Sequence, residues 1–539
     1  VDLSQRFGTD RSVGLRLNAA VETLDPQVRQ AEGRRHLLAL AADWRLGSDT
    51  LVEAEFETSH RRQPSVPGFS LLGNTVPAPV DPRINLNNQP WSQPVVLDAD
   101  TASLRITRRL GPDWRASAHL ATQRLRSDDR IAFPFGCYDA GTDVYHPDRY
   151  CPDGRYDLYD FRSDHERRRT DALELAVQGR FATGAMSHRL AAGVQLSRVH
   201  NRFQQQAYNY VGQGNASGTA LTPGDPALTD ENTNRDERST EFFLRDAVAL
   251  TPALTAWLGV RHTRLERESV RTDGSRATTY DQAFTTPSIA LSRALSPQTT
   301  AYLSWGRGTE SEVAPNRARY TNRGEALPAL RSRQVEAGLK GNTSLGGTAE
   351  LSWGLAAFDI RRPAFADIGP DCGSDTPGGT CTRRADGEAR HRGVEAQGGW
   401  RDGPWTVQAG AQWLHARRQG SVDPTINGLR PTNVPASTLK LQTRYDVATV
   451  PGLAWRADLV AEGPRMVLPD NSARIPGQAR VDLGARYLQT TDRGKLLWRI
   501  GVDNAFDRRA WREAPYQFGH AYLFPLAPRT WRVSVEASL

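Results

Sequence analysis

The final segment of the chain, Pro528–Leu539 (PRTWRVSVEASL), alternates apolar and polar side chains up to the last residue. The apolar positions are Trp531, Val533, Val535 and Ala537, and the polar ones are Arg532, Ser534, Glu536 and Ser538. Successive side chains of a β-strand point to opposite faces, so this segment would present one apolar and one polar face. Such a strand is typical of a transmembrane β-barrel, in which the apolar face contacts lipid.

The same two-residue period recurs along the chain. Examples are residues 13–21, 102–107, 173–181, 190–197 and 351–357. The chain is 38% hydrophobic with a mean hydropathy of −0.57, and no stretch approaches the roughly 18 continuous apolar residues that a transmembrane helix needs. Alternation lowers the average hydropathy of a barrel strand, so these values exclude helical spans but not a barrel.

Short turns and long polar loops alternate between these segments. The long loops are predicted at about residues 63–97, 127–165, 203–236, 309–330, 362–389, 419–435 and 506–526. Short turns on one rim and long loops on the other are the arrangement of outer-membrane barrels, with the long loops outside. A soluble all-β protein is the alternative, but its strands usually have about 5–6 residues, and many here are longer. We therefore predict an all-β, transmembrane antiparallel β-barrel with about 21 strands in this chain.

The predicted number of strands is odd, and this indicates what to expect upstream of the chain. Residues 1–8 lead into a short turn, and the last strand also ends on the short-turn side. Bacterial barrels of this kind have an even number of strands. We therefore expect one further strand upstream of Val1.

Five segments spread over the chain carry recognisable motifs. They are Val1–Ala20 (VDLSQRFG…GLRLNAA), Arg390–Glu395 (RHRGVE), Arg474–Tyr487 (RIPGQARVDLGARY), Val502–Trp511 (VDNAFDRRAW) and Ala527–Leu539. In this order they resemble successive segments of TonB-dependent outer-membrane receptors, most closely the siderophore-receptor branch. Two positions depart from the family pattern: Leu539 stands where Phe or Trp is usual, and Asn504–Asp507 (NAFD) where Asn-Leu-Phe-Asp is usual.

The resemblance implies a barrel of the 22-stranded type whose lumen holds an N-terminal plug. Residues 1–539 would be its barrel domain, with the plug and the first strand expected upstream. It implies a receptor in the bacterial outer membrane, not an enzyme, that binds a ferric siderophore at its extracellular loops. TonB would supply the energy for import through the N-terminal region. Uptake of haem, cobalamin or a carbohydrate is an alternative, as is a passive porin.

Further expectations concern partners. The resemblance implies no cofactor of the protein's own, a monomer, and contact with outer-membrane lipid and lipopolysaccharide. The formal net charge is +7, but the arginines scatter along every strand instead of forming one basic face, which argues against nucleic-acid binding. We expect a charged lumen, and arginines at the rim that pair with lipopolysaccharide phosphates. Neither Gly-x-Ser-x-Gly nor His-Glu-x-x-His occurs, and His391 and His415 are interpreted as wall residues rather than haem ligands.

The four cysteines form two close pairs, Cys137 with Cys151 and Cys372 with Cys381, both inside predicted outer loops. Paired cysteines in an envelope protein indicate disulfides. A metal site is the alternative, but the spacing does not suit a structural zinc site, and His146 is the only nearby histidine.

Aromatic residues are concentrated around the first cysteine pair. The candidate ligand-binding residues are Trp91, Tyr138, Tyr145, Tyr150, Tyr156, Tyr159, Tyr208, Tyr210 and Tyr320. Aromatic and guanidinium planes can stack on a flat, anionic or chelated ligand. The alternative is that these rings form a girdle at the membrane interface or pack the loops against each other.

Overall fold

The computed structural model describes residues 1–315, 319–373 and 378–539. Parts of two predicted loops, at 316–318 and 374–377, therefore lie outside the described residues. The sheet has 22 strands. The first eleven are β1 Asp2–Phe7, β2 Val13–Leu24, β3 Gly33–Leu46, β4 Thr50–Gln63, β5 Val95–Arg109, β6 Trp114–Pro134, β7 Arg155–Thr183, β8 Met186–Arg202, β9 Ala207–Asn215, β10 Thr233–Thr251 and β11 Leu254–Arg271. The remaining eleven are β12 Thr278–Ser296, β13 Thr299–Glu310, β14 Leu330–Gly346, β15 Ala349–Ile368, β16 Thr382–Asp402, β17 Trp405–Gln419, β18 Ser437–Asp446, β19 Leu453–Glu462, β20 Gln478–Thr491, β21 Gly494–Asp503 and β22 Thr530–Ser538.

Each strand pairs antiparallel with the strands next to it in the chain, with one exception. Strand β9 pairs with the first part of β7, while β8 pairs with the second part and also with β10. Strand β9 therefore continues β8 past an interruption at 203–206. Counted in this way, the wall of the described residues has 21 strands, which agrees with the predicted number, and the all-β barrel class is confirmed.

The ends of the sheet stay apart in the described residues. Strand β1 is paired with β2, and β22 with β21, but no pairing joins β1 to β22. Among the same residues, no helix is long and apolar enough to cross a membrane. Helical structure there is confined to two short 3-10 turns, Pro370–Gly373 and Pro424–Ile426.

Several strands extend further toward the long loops than the alternation predicts. Strand β6 continues to Pro134 and β7 begins at Arg155, so both enter the predicted loop 127–165. The extended parts pair with each other, and residues there are buried on alternate positions, such as Ser127 and Glu166. The strand pairing continues here because the inward side chains pack against the loops. In this part of the strands, the alternation typical of a lipid-facing wall is therefore lost.

The register confirms the two faces of the last strand. Val533 lies opposite Ile500, and Trp531 lies opposite Val502. Directly opposed residues of an antiparallel pair share a face of the sheet, and here apolar residues oppose apolar ones. On the other face, Glu536 forms an ion pair with Arg499 at 2.9 Å.

Four small hairpins lie in the loops. They are formed by Cys137–Asp139 with Val144–His146, Arg465–Met466 with Arg474–Ile475, Trp511–Glu513 with Phe524–Pro525, and Tyr516–Gln517 with His520–Ala521. All four are on the long-loop side of the wall. Several of their residues are buried, among them Ile475, Trp511 and Ala521.

Candidate ligand-binding site

The long loops pack together around a hydrophobic core of their own, here called the loop core. Its members are Phe69, Leu71, Leu86, Ala132, Tyr150, Tyr156, Leu158, Val467, Leu468, Ala473, Ile475, Trp511, Ala514, Ala521 and Leu523. These residues come from loops that are distant in sequence: the Trp511 indole donates a hydrogen bond to the carbonyl of Pro77, 434 positions away, at 2.8 Å. The loops therefore form one packed cap over this end of the sheet.

Three of the predicted ligand-binding tyrosines are buried inside the cap. Tyr150 and Tyr156 belong to the loop core, with ring centroids 4.6 Å apart, and the Tyr150 hydroxyl donates to the carbonyl of Gly68 at 3.0 Å. Tyr320 is 2% exposed, and its hydroxyl donates to Asp367 at 2.7 Å. For Tyr150 and Tyr156, the packing interpretation describes their surroundings, because no face of either ring is open to a ligand. Tyr320 is packed in the same way but borders the cavity described below.

The other predicted residues lie nearer the surface. Tyr138, Tyr145 and Tyr210 are exposed. Tyr159 and Tyr208 are stacked on each other, with centroids 4.8 Å apart and planes 8° from parallel. Trp91 is half-buried, and its indole donates to the carbonyl of Thr222 at 2.9 Å. At this end of the molecule, some of the predicted rings thus stack on each other, while others are open to solvent.

Both cysteine pairs are disulfide-bonded, with Cys137 joined to Cys151 and Cys372 joined to Cys381. The first bond closes the hairpin that carries Tyr138 and Tyr145, directly beside the buried Tyr150. The second lies beside Tyr320, which forms a β-bridge with Cys381. The disulfides therefore join exposed loop segments to the packed part of the cap.

Removing the first disulfide tests this arrangement. With Cys137→Ser and Cys151→Ser together, we expect the segment between them to become sensitive to protease, because the loss of a crosslink of this ring size weakens the closed loop by about 3 kcal/mol. The melting temperature of the wall should change little, since its strands are held by interstrand hydrogen bonds. The pair Cys372→Ser with Cys381→Ser is the control, and should leave the protease sensitivity of 137–151 unchanged. A large fall in wall melting temperature with intact loop protection would contradict this prediction.

A cavity of about 1300 Å³ opens in the cap. Its aromatic lining consists of Phe135, Tyr320, Phe365, Tyr516 and Phe518. The charged lining consists of Asp148, Glu312, Arg319, Asp367, Arg383, Asp386, Arg418, Asp423 and Arg430. Its size is above the range of about 300–1,000 Å³ of typical small-molecule sites, so it can admit a bulky ligand.

The carboxylates of the cavity are largely satisfied by neighbouring groups. Arg383 bridges Glu312 and Asp367, at 2.5 and 2.9 Å. Asp148 pairs with Arg149 at 2.7 Å. Asp386, on β16, accepts hydrogen bonds from the backbone N–H of Val422 and the Ser421 hydroxyl, and Asp423 accepts from the backbone N–H and the hydroxyl of Thr425.

Two arginines of the cavity lack such partners. The guanidinium groups of Arg418 and Arg430 form no ion pair or side-chain hydrogen bond with the described residues. Both side chains are half-buried. A partly desolvated guanidinium without an acceptor favours an anionic group in the adjacent space. The unpaired hydrogen-bond donors of this cavity thus include two positively charged guanidinium groups.

Burial also sets the protonation of two ring side chains, Tyr516 in the cavity lining and His520 behind it. Burial, together with the charge of Asp148, raises the pKa of Tyr516 to about 12, so its hydroxyl stays protonated and able to donate. His520 packs between the rings of Phe135, Tyr150 and Tyr522. Burial lowers the pKa of His520 to about 3, so the imidazole is neutral at physiological pH and adds no charge.

The cavity residues were mostly missed by the sequence analysis. Of the predicted residues, only Tyr320 and Cys372 line it. Arg430 and Phe518 carried no signal because each is one of many similar residues in a polar loop, and Arg418 because it is one of many arginines on the strands. No group of three or more His, Cys, Asp or Glu residues that could hold a metal ion occurs within 1–315, 319–373 and 378–539.

Comparison with known proteins places this architecture in a family. The family model described as "TonB dependent receptor-like, beta-barrel" matches residues 43–505. The chain belongs to the TonB-dependent receptors. Their barrels lie in the bacterial outer membrane, so the cap is on the extracellular side and the short turns are periplasmic. Members of this family are receptors and transporters, not enzymes.

Two of the relatives found by sequence are named for the compounds they receive. The ferrichrome receptor FcuA of Yersinia enterocolitica is 23% identical over 571 residues, covering 99% of this chain and 68% of that protein. The metal-pseudopaline receptor CntO of Pseudomonas aeruginosa is also 23% identical, over 562 residues, covering 99% of this chain and 72% of that protein.

Solved structures show the same fold. BauA, the ferric preacinetobactin receptor of Acinetobacter baumannii, superposes with a TM-score of 0.82 at 20% identity, covering 99% of this chain and 77% of that chain. FpvA of Pseudomonas aeruginosa, bound to heterologous pyoverdines, gives a TM-score of 0.79 at 19% identity, covering 99% of this chain and 68% of that chain.

Proposed function

We propose that this chain forms the wall and the extracellular cap of a receptor that binds a ferric siderophore and imports it with energy delivered through TonB. The observation that carries the proposal is the cavity in the cap of a TonB-dependent receptor barrel. Relatives named for ferrichrome and metal-pseudopaline support a metal chelate as the cargo. TonB would act through a plug, which the family supplies from the N-terminal side.

The cavity residues suggest how the ligand is held. Arg418 and Arg430 would donate hydrogen bonds to negatively charged oxygens of the chelate. Phe518 is 68% exposed, so its ring face is open for stacking on flat parts of the ligand. The protonated hydroxyl of Tyr516 adds a neutral donor. An anionic ferric chelate would thus satisfy the two guanidinium groups that the protein leaves unpaired.

A chelate of another metal is the second candidate, because the metal-pseudopaline receptor matches this chain at the same identity as the ferrichrome receptor. Haem, cobalamin and carbohydrate remain further alternatives within the same transport mechanism. The exposed rings of Tyr138, Tyr145 and Tyr210 would serve as first contacts on the outer surface for any of these cargos. We propose a monomer that contacts outer-membrane lipid and lipopolysaccharide through its wall.

The double substitution Arg418→Gln and Arg430→Gln tests the proposal. In the full-length receptor we expect the affinity for the best ferric chelate to fall by at least about 100-fold, since hydrogen bonds to charged groups contribute about 1.5–3 kcal/mol each and two are removed. Binding is measured by tryptophan fluorescence against a panel of ferric hydroxamate, carboxylate and catecholate chelates, with haem and cobalamin included. Retention of full affinity by the variant would contradict the site, and failure of every ferric chelate to bind wild type would contradict the function.

A matched control removes the same charge away from the cavity. Arg35 and Arg264 are exposed and engaged in ion pairs with Glu22 and Asp281. The double substitution Arg35→Gln and Arg264→Gln should leave affinity within about twofold of wild type, because exposed surface pairs contribute little. An equal loss in this control would show a general charge effect, and would contradict the assignment to Arg418 and Arg430.

A further inference from the structure

One of the small hairpins, residues 516–521, forms part of the cavity wall and is here called the cap hairpin. Its first strand and its turn, residues 516–519, line the cavity. The next residue, His520, is fully buried behind the cavity. The tip of the cap hairpin thus faces the space open to a ligand, while its second strand packs into the interior of the cap.

The imidazole of His520 lies in a pocket of aromatic rings. Its ring centroid is 5.1 Å from that of Phe135, 5.7 Å from that of Tyr150 and 4.6 Å from that of Tyr522. Neither ring nitrogen has a hydrogen-bonding partner among the described residues. A neutral imidazole carries one N–H donor and one acceptor nitrogen, and each destabilises the docked hairpin when it is buried without a partner. The ring is therefore held by packing alone.

Charged groups near the ring offset each other. Asp148 favours the protonated imidazole and Arg149 disfavours it, and the two side chains pair at 2.7 Å. The backbone of Ala521 also favours protonation, but its carbonyl already accepts a hydrogen bond from the Ser70 hydroxyl at 2.6 Å. Three tyrosines also pack around the hairpin, namely Tyr150, Tyr516 and Tyr522. Phenolic hydroxyls are neutral below about pH 10, so burial decides the protonation of the docked ring.

The turn of the cap hairpin is strained. Its two residues, Phe518 and Gly519, have φ angles of 55° and 78°. Two-residue hairpin turns of this kind favour Asn, Asp or Gly, and a bulky side chain at positive φ is unfavourable. The Phe518 ring is exposed, so its packing does not offset the strain. The docked hairpin thus combines a strained tip with an unpaired imidazole at its base.

A few backbone hydrogen bonds dock the hairpin in the cap. The N–H of Ala521 donates to the carbonyl of Asp148 at 2.9 Å. Just beyond the hairpin, Leu523 and Phe69 exchange two bonds, at 2.7 and 2.9 Å. Such amides exchange with solvent only when the segment opens. The amides of Ala521 and Leu523 therefore report whether the hairpin is docked.

We propose that the cap hairpin is an acid-sensitive gate of the cavity, which is docked while the imidazole of His520 is neutral and is released when the imidazole is protonated. An imidazolium ion is strongly destabilised in a pocket of rings without an acceptor, whereas water solvates it once the hairpin leaves. Release also takes Phe518 and the Tyr516 hydroxyl away from the ligand. The gate rests on the proposed function only in that the cavity is the ligand site.

Acid should favour the open hairpin because the open state binds a proton more tightly. His520 has its ordinary pKa of 6.5 when the hairpin is open to water, and burial lowers the pKa to about 3 when the hairpin is docked. Docking is therefore fully favoured above pH 6.5, and is weakened tenfold for each pH unit between 6.5 and about 3. From pH 7.5 to 5.0, the equilibrium constant for opening should rise by about 30-fold.

Hydrogen exchange of the full-length receptor without ligand tests the gate. Exchange in peptides that cover 516–523, divided by the intrinsic rate at each pH, gives the opening equilibrium. We expect the rise of about 30-fold in wild type and a rise of less than about threefold in His520→Phe, whose ring fits the pocket but does not titrate. His520→Gln is a second variant that does not titrate. If wild type and both variants rose by the same factor, the proposal would be overturned.

A second histidine of the cap controls for other titrating groups. His146 ends the strand Val144–His146 of another small hairpin and is half-buried. His146→Gln should keep the wild-type rise, and loss of the rise in this variant would overturn the assignment to His520.

Ligand binding separates the gate from the proposed function. Affinity for the best ferric chelate should fall more between pH 7.5 and 5.0 in wild type than in His520→Phe, and the comparison cancels the protonation of the chelate itself. An equal fall in both would overturn the role of the hairpin at the cavity. Failure of every chelate to bind would contradict the proposed function, whereas the gate would still be decided by hydrogen exchange.

Discussion

Replacing Val533 with arginine should lower the free energy of unfolding of the barrel in lipid by about 2–4 kcal/mol, the cost of an arginine near the bilayer midplane. Val533 is 73% exposed on the outward face and lies opposite Ile500, which is 50% exposed. Trp531 lies two residues away on the same face, toward the extracellular end. The guanidinium would therefore have to enter hydrocarbon between apolar side chains. Denaturant titration of the protein folded in lipid vesicles measures the change.

The adjacent position supplies the control. Ser534 lies opposite Arg499 on the inner face, so Ser534→Arg places its charge in the lumen. This variant should cost less than about 1 kcal/mol, because lumen substitutions leave the lipid-facing surface unchanged. A one-residue slip of register exchanges the two faces. If Ser534→Arg were the more damaging change, the orientation of this strand would be wrong.

The wall was predictable because its physics is local. Each strand must show apolar side chains to lipid at every second position, so alternation within ten residues identifies it without knowledge of its partners. The last strand illustrates this, since the faces assigned from Pro528–Leu539 agree with its pairing to β21. The disulfides were equally local, since each joins cysteines only 14 or 9 positions apart.

The cap was not predictable in the same way. Tyr150 and Tyr138 lie in the same tyrosine-rich loop, but Tyr150 is fully buried and Tyr138 is 44% exposed. The difference depends on which distant segments pack against each ring: Tyr150 is bonded to Gly68, 82 positions away. Such contacts are set by tertiary packing, which overrides local composition. The extension of β7 to Arg155 was missed for the same reason, because its inner face packs on protein instead of following the wall pattern.

The cavity arginines show a further limit. Arg418 and Arg430 are two of 68 basic residues in the chain. Only the absence of an ion pair or side-chain hydrogen bond with the described residues distinguishes them from Arg383, which bridges two carboxylates. Whether an arginine has a hydrogen-bonding partner depends on how the loops fold. This can be seen only when the residues from several loops are placed together.

The cap should open locally when Trp511 is replaced by alanine. Trp511 is 2% exposed in the loop core, lies 6.0 Å from Phe69 between ring centroids, and is bonded to the carbonyl of Pro77. Truncating a buried aromatic side chain usually costs about 3–5 kcal/mol, and the Pro77 carbonyl would lose its donor. We expect hydrogen exchange in 67–77 and 510–525 to accelerate by about two to three orders of magnitude.

The wall should be largely spared, because its interstrand hydrogen bonds meet the loop core only at the extended ends of β6 and β7, at Ala132, Tyr156 and Leu158. The melting temperature of the sheet should therefore change little in Trp511→Ala, while ligand affinity falls, since the cavity shares its loops with this core. Phe506→Ala is the matched control: Phe506 lies in the same loop region but is 74% exposed, so its removal should change exchange by less than about threefold. If Trp511→Ala lowered the stability of wall and cap equally, the two would form one cooperative unit and the cap would not be a separately folding layer.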